Sequence, residues 1–260
     1  MSAAAEAVLD VEALSLAFGG LQAVDGFSMV LRQGELAGLI GPNGAGKSTV
    51  FNLVTGVYRP DAGEVRALGR RVTGWRPEAI ARLGLVRSFQ NIRLFRDLSV
   101  RDNLLAAMHA QPPYGLLAGL LRTPAALRAE AGLGERAEEL MGLMGLEARA
   151  DEEAGSLPYG DQKKLEIARA LAAGAQVLLL DEPAAGMNPR ESQWLMQALR
   201  RLRDERGVSI LLIEHDMRVV MGLCERVLVM DHGQKIAEGT PHQVQRDARV
   251  IEAYLGSKKG

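Results

Sequence analysis

A glycine-rich segment near the start of the chain constrains the fold more than any other feature. It reads Gly41-Pro42-Asn43-Gly44-Ala45-Gly46-Lys47-Ser48-Thr49, which matches the pattern Gly-x-x-x-x-Gly-Lys-Ser. An apolar run at 36–40 predicts a buried strand before it, and 48–54 predicts a helix after it. Glycines let successive backbone N–H groups point at one anion, and the helix adds its positive dipole end. We predict that this segment binds the phosphates of ATP, with Lys47 at the β- and γ-phosphates and Ser48 on Mg²⁺.

A second apolar run, 177–180, ends in two acids, Asp181 and Glu182. Ligands of open α/β sheets bind at the carboxyl ends of the strands, so these acids are expected at the same edge as the glycine-rich loop. Asp181 is predicted to orient Mg²⁺, directly or through water. Glu182 is predicted to polarise the water that attacks the γ-phosphate.

The order of predicted elements indicates the fold class. Alternation at 8–18 and 21–31 predicts antiparallel strands, and strands then alternate with helices as in a parallel sheet covered on both faces. Residues 99–154 are rich in Leu, Ala and Glu with helical spacing. We predict one α/β domain of the P-loop NTPase type over 1–260. Its mostly parallel core and antiparallel β part occupy 1–98 and 155–260, and a helical subdomain is inserted at 99–154.

Composition excludes several other classes. The formal net charge of −1 gives no indication of nucleic-acid binding. No apolar run approaches the roughly 20 residues that span a bilayer, and residues 1–10 lack a signal-peptide pattern. The single cysteine, Cys224, fits a reducing compartment. A role at a membrane would therefore depend on partner proteins.

Further motifs give the chain a family resemblance. They are the phosphate loop, Val-Arg-Ser-Phe-Gln-Asn at 86–91, the run 157–171, the run 181–189, and Leu-Ile-Glu-His-Asp-Met at 212–217. Together they resemble the ATPase subunits of ABC transporters. Within that family, Tyr159-Gly160, Leu165-Glu166-Ile167 and Ala184-Ala185-Gly186 are similar to the branched-chain amino-acid importers.

The resemblance implies roles for residues that spacing alone does not assign. Phe18 would stack on adenine. Gln90 would contact Mg²⁺ and the attacking water, and its loop would sense the membrane partner. His215 would contact the γ-phosphate and hold Glu182 and the water in line. A second subunit would close the ATP site in trans through its own Tyr159, Gly160 and Asp161.

The resemblance also implies partners and a location. They are a second ABC ATPase subunit in a heterodimer, two transmembrane permease subunits and, indirectly, a substrate-binding protein, with no nucleic acid. The chain would lie peripherally on the cytoplasmic face of the inner or plasma membrane. The helical insert and the Gln90 loop would dock on the permease. The apolar segment 114–121 either joins them or forms a surface hairpin.

The chain departs from the family pattern at its signature segment, which we define as residues 157–161. It reads Leu-Pro-Tyr-Gly-Asp in place of Leu-Ser-Gly-Gly-Gln, so Pro158 lacks the usual serine hydroxyl. Asp161 brings a negative charge that either weakens the half-site or caps the following helix.

There are three alternatives to an ATPase for a branched-chain amino-acid importer. The solute could be another amino acid, an amide or a urea-like compound. The chain could also be a nucleotide-binding regulator that hydrolyses little ATP, an alternative with which the altered signature segment is consistent. An ABC ATPase that acts on ribosomes or DNA is disfavoured by the single cassette, the lack of a heptad run and the lack of a basic stripe.

Overall fold

The computed structural model describes residues 6–88, 94–109 and 123–256. The chain forms two compact units, Met1–Gln90 with Gln176–Gly260, and Asn91–Ala175. The expectations for Gln90 and for the segment 114–121 concern residues outside the described ranges. Within those ranges, no helix is long and apolar enough to cross a membrane.

The strands all belong to the first unit, and the helices are numbered along the whole described chain. The strands are β1 (Ala7–Phe18), β2 (Leu21–Arg32), β3 (Leu36–Ile40), β4 (Ala62–Ala67), β5 (Arg70–Arg71), β6 (Leu85–Arg87), β7 (Val177–Asp181), β8 (Ser209–Ile213), β9 (Arg226–Asp231) and β10 (Gln234–Gly239). The helices are α1 (Lys47–Val54), α2 (Pro77–Leu83), α3 (Val100–His109), α4 (Pro124–Met144), α5 (Tyr159–Ala172), α6 (Pro189–Arg206), α7 (Met217–Leu223), α8 (Pro241–Arg246) and α9 (Ala248–Gly256).

The first unit contains two sheets. One is antiparallel, with the strand order β2-β1-β4-β5. The other has the order β10-β9-β3-β8-β7-β6, and only the β9–β10 pair in it is antiparallel. The predicted class, a mostly parallel core sheet with an antiparallel β part, is confirmed.

The parallel strands are buried on both faces, as their continuous apolar sequences require. Every residue of β3, β7 and β8 is buried. One cluster of buried side chains joins this sheet, the antiparallel sheet and α1, with Phe27 and Phe51 among its largest members. Because the parallel strands run in one direction, the segments after β3, β7 and β8 emerge at one edge of the sheet.

The second unit is helical, and α3, α4 and α5 pack against one another. Its buried polar residue Asn103 ties the segment before α3 to that helix. The Asn103 amide donates to the carbonyls of Phe95 and Ser99 at 2.9 Å each, and its oxygen accepts from the Phe95 N–H at 3.0 Å.

The bounds of the helical insert differ from the prediction. The second unit spans Asn91–Ala175, whereas the sequence favoured 99–154. Helix α5 accounts for the difference at the C-terminal end, because it packs on α3 and α4.

Backbone conformation sets the end of one strand of the antiparallel sheet. Strand β4 ends at Ala67, because Leu68 has a left-handed φ of 49° that breaks the extended backbone.

Cys224 offers a direct probe of this packing. Burial raises the pKa of its thiol to about 12, and the carboxylates of Glu214 and Glu225 act in the same direction. Since the thiolate is the reactive form, we expect the native protein to resist Ellman's reagent at mildly alkaline pH. The same protein in guanidinium should release one equivalent of chromophore rapidly. Rapid labelling of the native protein would contradict the buried position.

Candidate nucleotide-binding and catalytic site

The loop between β3 and α1 is held so tightly that two of its glycines, Gly41 and Gly46, leave no room for a side chain. A Cβ on Gly41 would lie 2.1 Å from the backbone oxygen of Met230, and one on Gly46 would lie 2.4 Å from that of Ala23. Both glycines also have positive φ, 152° and 99°. The Gly233 N–H, in the turn between β9 and β10, donates to the Ala45 carbonyl at 3.0 Å. Neighbouring backbone therefore fixes the path of the loop.

The start of α1 is suited to an anion. Gly46 is its N-cap residue, no side chain caps the helix, and its first turn carries no acidic residue. Backbone N–H groups and the positive dipole end are therefore left to attract negative charge, as in other phosphate-binding loops.

Lys47 lies over the same loop. Its Nζ donates to the carbonyls of Gly41 at 2.7 Å and Pro42 at 2.8 Å. Burial lowers the pKa of Lys47, and the negative charges of Glu182 and Asp181 oppose that shift. Both acids therefore lie close enough to act on the Lys47 ammonium.

A cleft of about 550 Å³ opens beside the loop, within the volume range of small-molecule sites. It is lined by residues of the antiparallel sheet, the phosphate loop and the two segments that follow β7 and β9: Phe18, Leu21, Gln22, Ala23, Asn43, Gly44, Ala45, Gly46, Lys47, Ser48, Thr49, Glu182, His232 and Gly233.

Phe18 is 47% exposed, so its ring is available to a ligand in this cleft. It makes an edge-to-face contact with Tyr58, with ring centroids 5.4 Å apart and planes at 75°. Sequence reasoning did not select Tyr58. His232 is exposed and also lines the cleft.

The two acids after β7 differ in their settings. Asp181 is 5% exposed, and its Oδ2 accepts from Nη2 of Arg87 at 2.6 Å. The Glu182 side chain is a quarter exposed, and its backbone has a left-handed φ of 48°. His215 Nδ1 lies 3.7 Å from Glu182 Oε1. The predicted pair of Glu182 and His215 is therefore in reach of one shared water or phosphate oxygen.

Glu214 organises the turns around this pair, and sequence reasoning missed it. It is buried, and its carboxylate accepts from the N–H groups of Ala184 at 2.9 Å and His215 at 3.2 Å. Burial raises the pKa of Glu214, and these backbone donors oppose the rise. The only available signal was its place beside His215 at a strand end, where an acid is usually solvated.

Oxygen donors are available for Mg²⁺, although the described residues do not form a complete metal cage. Among the described residues, no cluster of three or more His, Cys, Asp or Glu side chains could hold a metal. Mg²⁺ in nucleotide sites takes one or two protein oxygens together with phosphate and water. The Ser48 hydroxyl at the start of α1 and the Asp181 carboxylate fit that requirement.

The signature segment lies in the second unit, and helix α5 begins within it at Tyr159. Asp161 is paired on both sides. Its Oδ1 accepts from Lys164 Nζ at 2.6 Å, and its Oδ2 lies 3.1 Å from Arg149 Nε. The negative charge is therefore neutralised within the unit, while Tyr159 is 44% exposed.

The family comparisons agree with this geometry. The model described as ABC transporter matches residues 24–185, and the model described as branched-chain amino acid ATP-binding cassette transporter matches residues 234–259.

Curated relatives match over nearly their whole length. The high-affinity branched-chain amino acid transport ATP-binding protein LivG of Salmonella typhimurium is 47% identical over 96% of this chain and 98% of its own. LivG of Escherichia coli K12 is 45% identical over the same shares. BraF of Pseudomonas aeruginosa is 44% identical, again over 96% and 98%.

Solved structures are similar as well. A nucleotide-free ATP-binding cassette from an ABC transporter superposes with a TM-score of 0.82, and an ADP conformation of such a cassette with 0.83. Each is 31% identical and covers 96% of this chain and 99% of its own.

Two alanine substitutions separate backbone strain from lack of space in the loop. Gly44→Ala places a Cβ in open space at a φ of 80°, whereas Gly46→Ala meets the Ala23 carbonyl. Both should bear the left-handed strain of roughly 1–2 kcal/mol. We expect only Gly46→Ala to lose ATP binding, measured with a fluorescent ATP analogue, and to unfold at clearly lower temperature than Gly44→Ala. Equal losses would show that the close backbone contact is not limiting.

Proposed function

Because this chain belongs to the ABC transporter ATP-binding family, we propose that it hydrolyses ATP to power an importer of branched-chain amino acids. The phosphate loop beside Glu182 and His215 carries the ATPase part of the proposal. The match of residues 234–259 to the branched-chain subgroup, and the names of the curated relatives, support the cargo.

In the proposed reaction the loop and Lys47 hold the β- and γ-phosphates. Ser48 and Asp181 would hold Mg²⁺, which neutralises charge on the phosphates when it is bound. Glu182 accepts a hydrogen bond from the attacking water, and His215 keeps that carboxylate and the γ-phosphate in line. The 3.7 Å between His215 Nδ1 and Glu182 Oε1 supports this assignment. Gln90, outside the described residues, keeps its predicted place on Mg²⁺ and the water.

The adenine ring is proposed to stack on Phe18. Phe18 lines the same cleft as the phosphate loop and is 47% exposed, and Tyr58 contacts its ring in an edge-to-face arrangement. Stacking of a base on an aromatic ring is worth about 1–3 kcal/mol and does not need a tyrosine.

A second ATPase subunit is proposed to complete each site. Its Tyr159, Gly160 and Asp161 would approach the γ-phosphate through the start of α5, whose dipole favours an anion. The pairing of Asp161 with Lys164 and Arg149 supports an attractive half-site, because the carboxylate charge is offset by two cations.

We propose that the ATPase pair docks peripherally on two permease subunits at the cytoplasmic face of the membrane. The partner ATPase is a different chain, so the pair is a heterodimer, and an external substrate-binding protein delivers the amino acid. ATP binding closes the pair and hydrolysis releases it, which moves the permease between its two orientations.

Glu182→Gln tests the hydrolytic role. The amide cannot accept the proton of the attacking water, so turnover should fall by at least about 100-fold while ATP binding persists. Phosphate release and binding of a fluorescent ATP analogue measure the two effects separately. The matched control is Glu12→Gln, an exposed residue of β1. Unchanged turnover in the Glu182 variant would remove that residue from the reaction.

Reconstitution tests the transport role and the cargo. The chain, its partner ATPase, the permease and the substrate-binding protein are placed in liposomes, and uptake of labelled leucine is followed with and without ATP. We expect ATP-dependent leucine uptake that the Glu182→Gln variant abolishes. Uptake of amides or urea but not of leucine would refute the assignment of branched-chain amino acids as the cargo.

A pull-down with this chain tests the transport role separately. Recovery of ribosomes or DNA instead of permease subunits would refute that role.

A further inference from the structure

Arg87, the last residue of β6, is a buried cation at the edge of the catalytic site. Its side chain is only 10% exposed, and its Nη2 donates to Asp181 Oδ2 at 2.6 Å. Its Nη1 donates to the side-chain oxygen of Asn52, in α1, at 2.5 Å. The guanidinium carbon lies 5.5 Å from the ring centroid of Phe51, in the same helix. One guanidinium therefore joins the end of β7 to the helix that follows the phosphate loop.

The backbone does not need this contact to form the sheet. Strands β6 and β7 already pair in parallel from Leu85 to Arg87, and the Ser88 N–H donates to the Leu179 carbonyl at 2.9 Å. Taking two charged groups out of water is costly unless each is well paired, and such pairs are often no more stable than apolar residues. The buried pair therefore calls for an explanation other than sheet stability.

The geometry limits how the Asp181 carboxylate can turn. Arg87 binds one carboxylate oxygen, Oδ2, which leaves Oδ1 for a cation. The planar guanidinium donates to Asn52 and to Asp181 in fixed directions, so the contact with Asn52 helps to set the plane of Arg87 and Arg87 limits the rotation of Asp181. A lysine has the same charge but lacks this fork, and it cannot hold both acceptors in that geometry.

We propose that Arg87, oriented by Asn52, is a positioning residue that presents the Asp181 carboxylate to the Mg²⁺ that accompanies ATP. This inference rests on the proposed hydrolysis of ATP with Mg²⁺. Removal of a residue that orients a metal ligand commonly lowers the affinity for the metal by about 10–100-fold, so the expected effect is large enough to measure.

The experiment measures the Mg²⁺ requirement of nucleotide binding in the full chain. All proteins carry Glu182→Gln to prevent turnover, and a fluorescent ATP analogue reports binding during a Mg²⁺ titration and in EDTA. The variants are Arg87→Lys and Asn52→Ala. Asn52→Ala leaves the Arg87–Asp181 pair in place, so it tests the orientation even if Arg87→Lys folds poorly.

Arg226→Lys is the matched control. Arg226 begins β9, and its Nε donates to Glu35 Oε1 at 2.6 Å, with side chains 23% and 11% exposed. This pair joins the first residue of β9 to the residue just before β3. It therefore lies at the amino-terminal edge of the sheet, whereas Asp181 lies at the carboxyl-terminal edge. It therefore measures the general cost of loosening a largely buried arginine–carboxylate pair in this unit.

We expect Arg87→Lys and Asn52→Ala to raise the Mg²⁺ concentration for half-maximal binding by about tenfold. Binding in EDTA should not change, and Arg226→Lys should leave both measurements at the parent value. An unchanged or lower Mg²⁺ requirement in both variants would overturn the inference, as would equal losses with and without Mg²⁺. Absence of nucleotide binding by the parent protein would instead overturn the proposed function itself.

Discussion

The site depends on backbone packed directly against backbone around the phosphate loop. Gly41 and Gly46 leave no room for a Cβ, because the carbonyls of Met230 and Ala23 lie where it would be. The Gly233 N–H adds a hydrogen bond to Ala45. Strand β9, the following turn and the antiparallel sheet therefore all act on one short loop. A change in any of these elements is transmitted to the loop without an intervening side chain that could adapt.

Two buried charged residues also fix the geometry at the edge of the sheet that holds the candidate catalytic residues. Glu214 holds the turns on either side of the Glu182–His215 pair, and Arg87 holds Asp181. Each of these two side chains has a partner in a distant part of the sequence, so each connects the ends of two different strands. Removing these charged groups from water lowers the stability that they contribute, but their hydrogen bonds favour one arrangement of the strand ends. Such an arrangement matters most at a site whose activity depends on geometry.

The sequence was sufficient for the fold class and for locating the glycine loop and the two acids after β7, because strands, glycine loops and terminal acids have local signatures. Leu36–Ile40 and the loop after it were predictable for that reason. Arg87 and Glu214 were not, since their roles depend on three-dimensional partners. The pairing of Asp161 with Arg149 was equally unpredictable, because the two residues lie in different elements and the sequence alone gives no sign of their contact. The compact unit that contains the helical insert spans Asn91–Ala175 and not 99–154, because local composition does not report which helices pack together.

The left-handed backbone at Glu182 has a consequence for how this site can vary. A residue with a branched Cβ is disfavoured there whatever its chemistry, because its side chain would crowd the main chain at that φ. The main chain thus determines the direction of the Cα–Cβ bond of Glu182, from which the rotamer then places the carboxylate. Substitutions at this position should be compared only among residues of unbranched shape, or conformational and chemical effects will be confused. Evolutionary drift at the position is limited by stereochemistry as well as by catalysis.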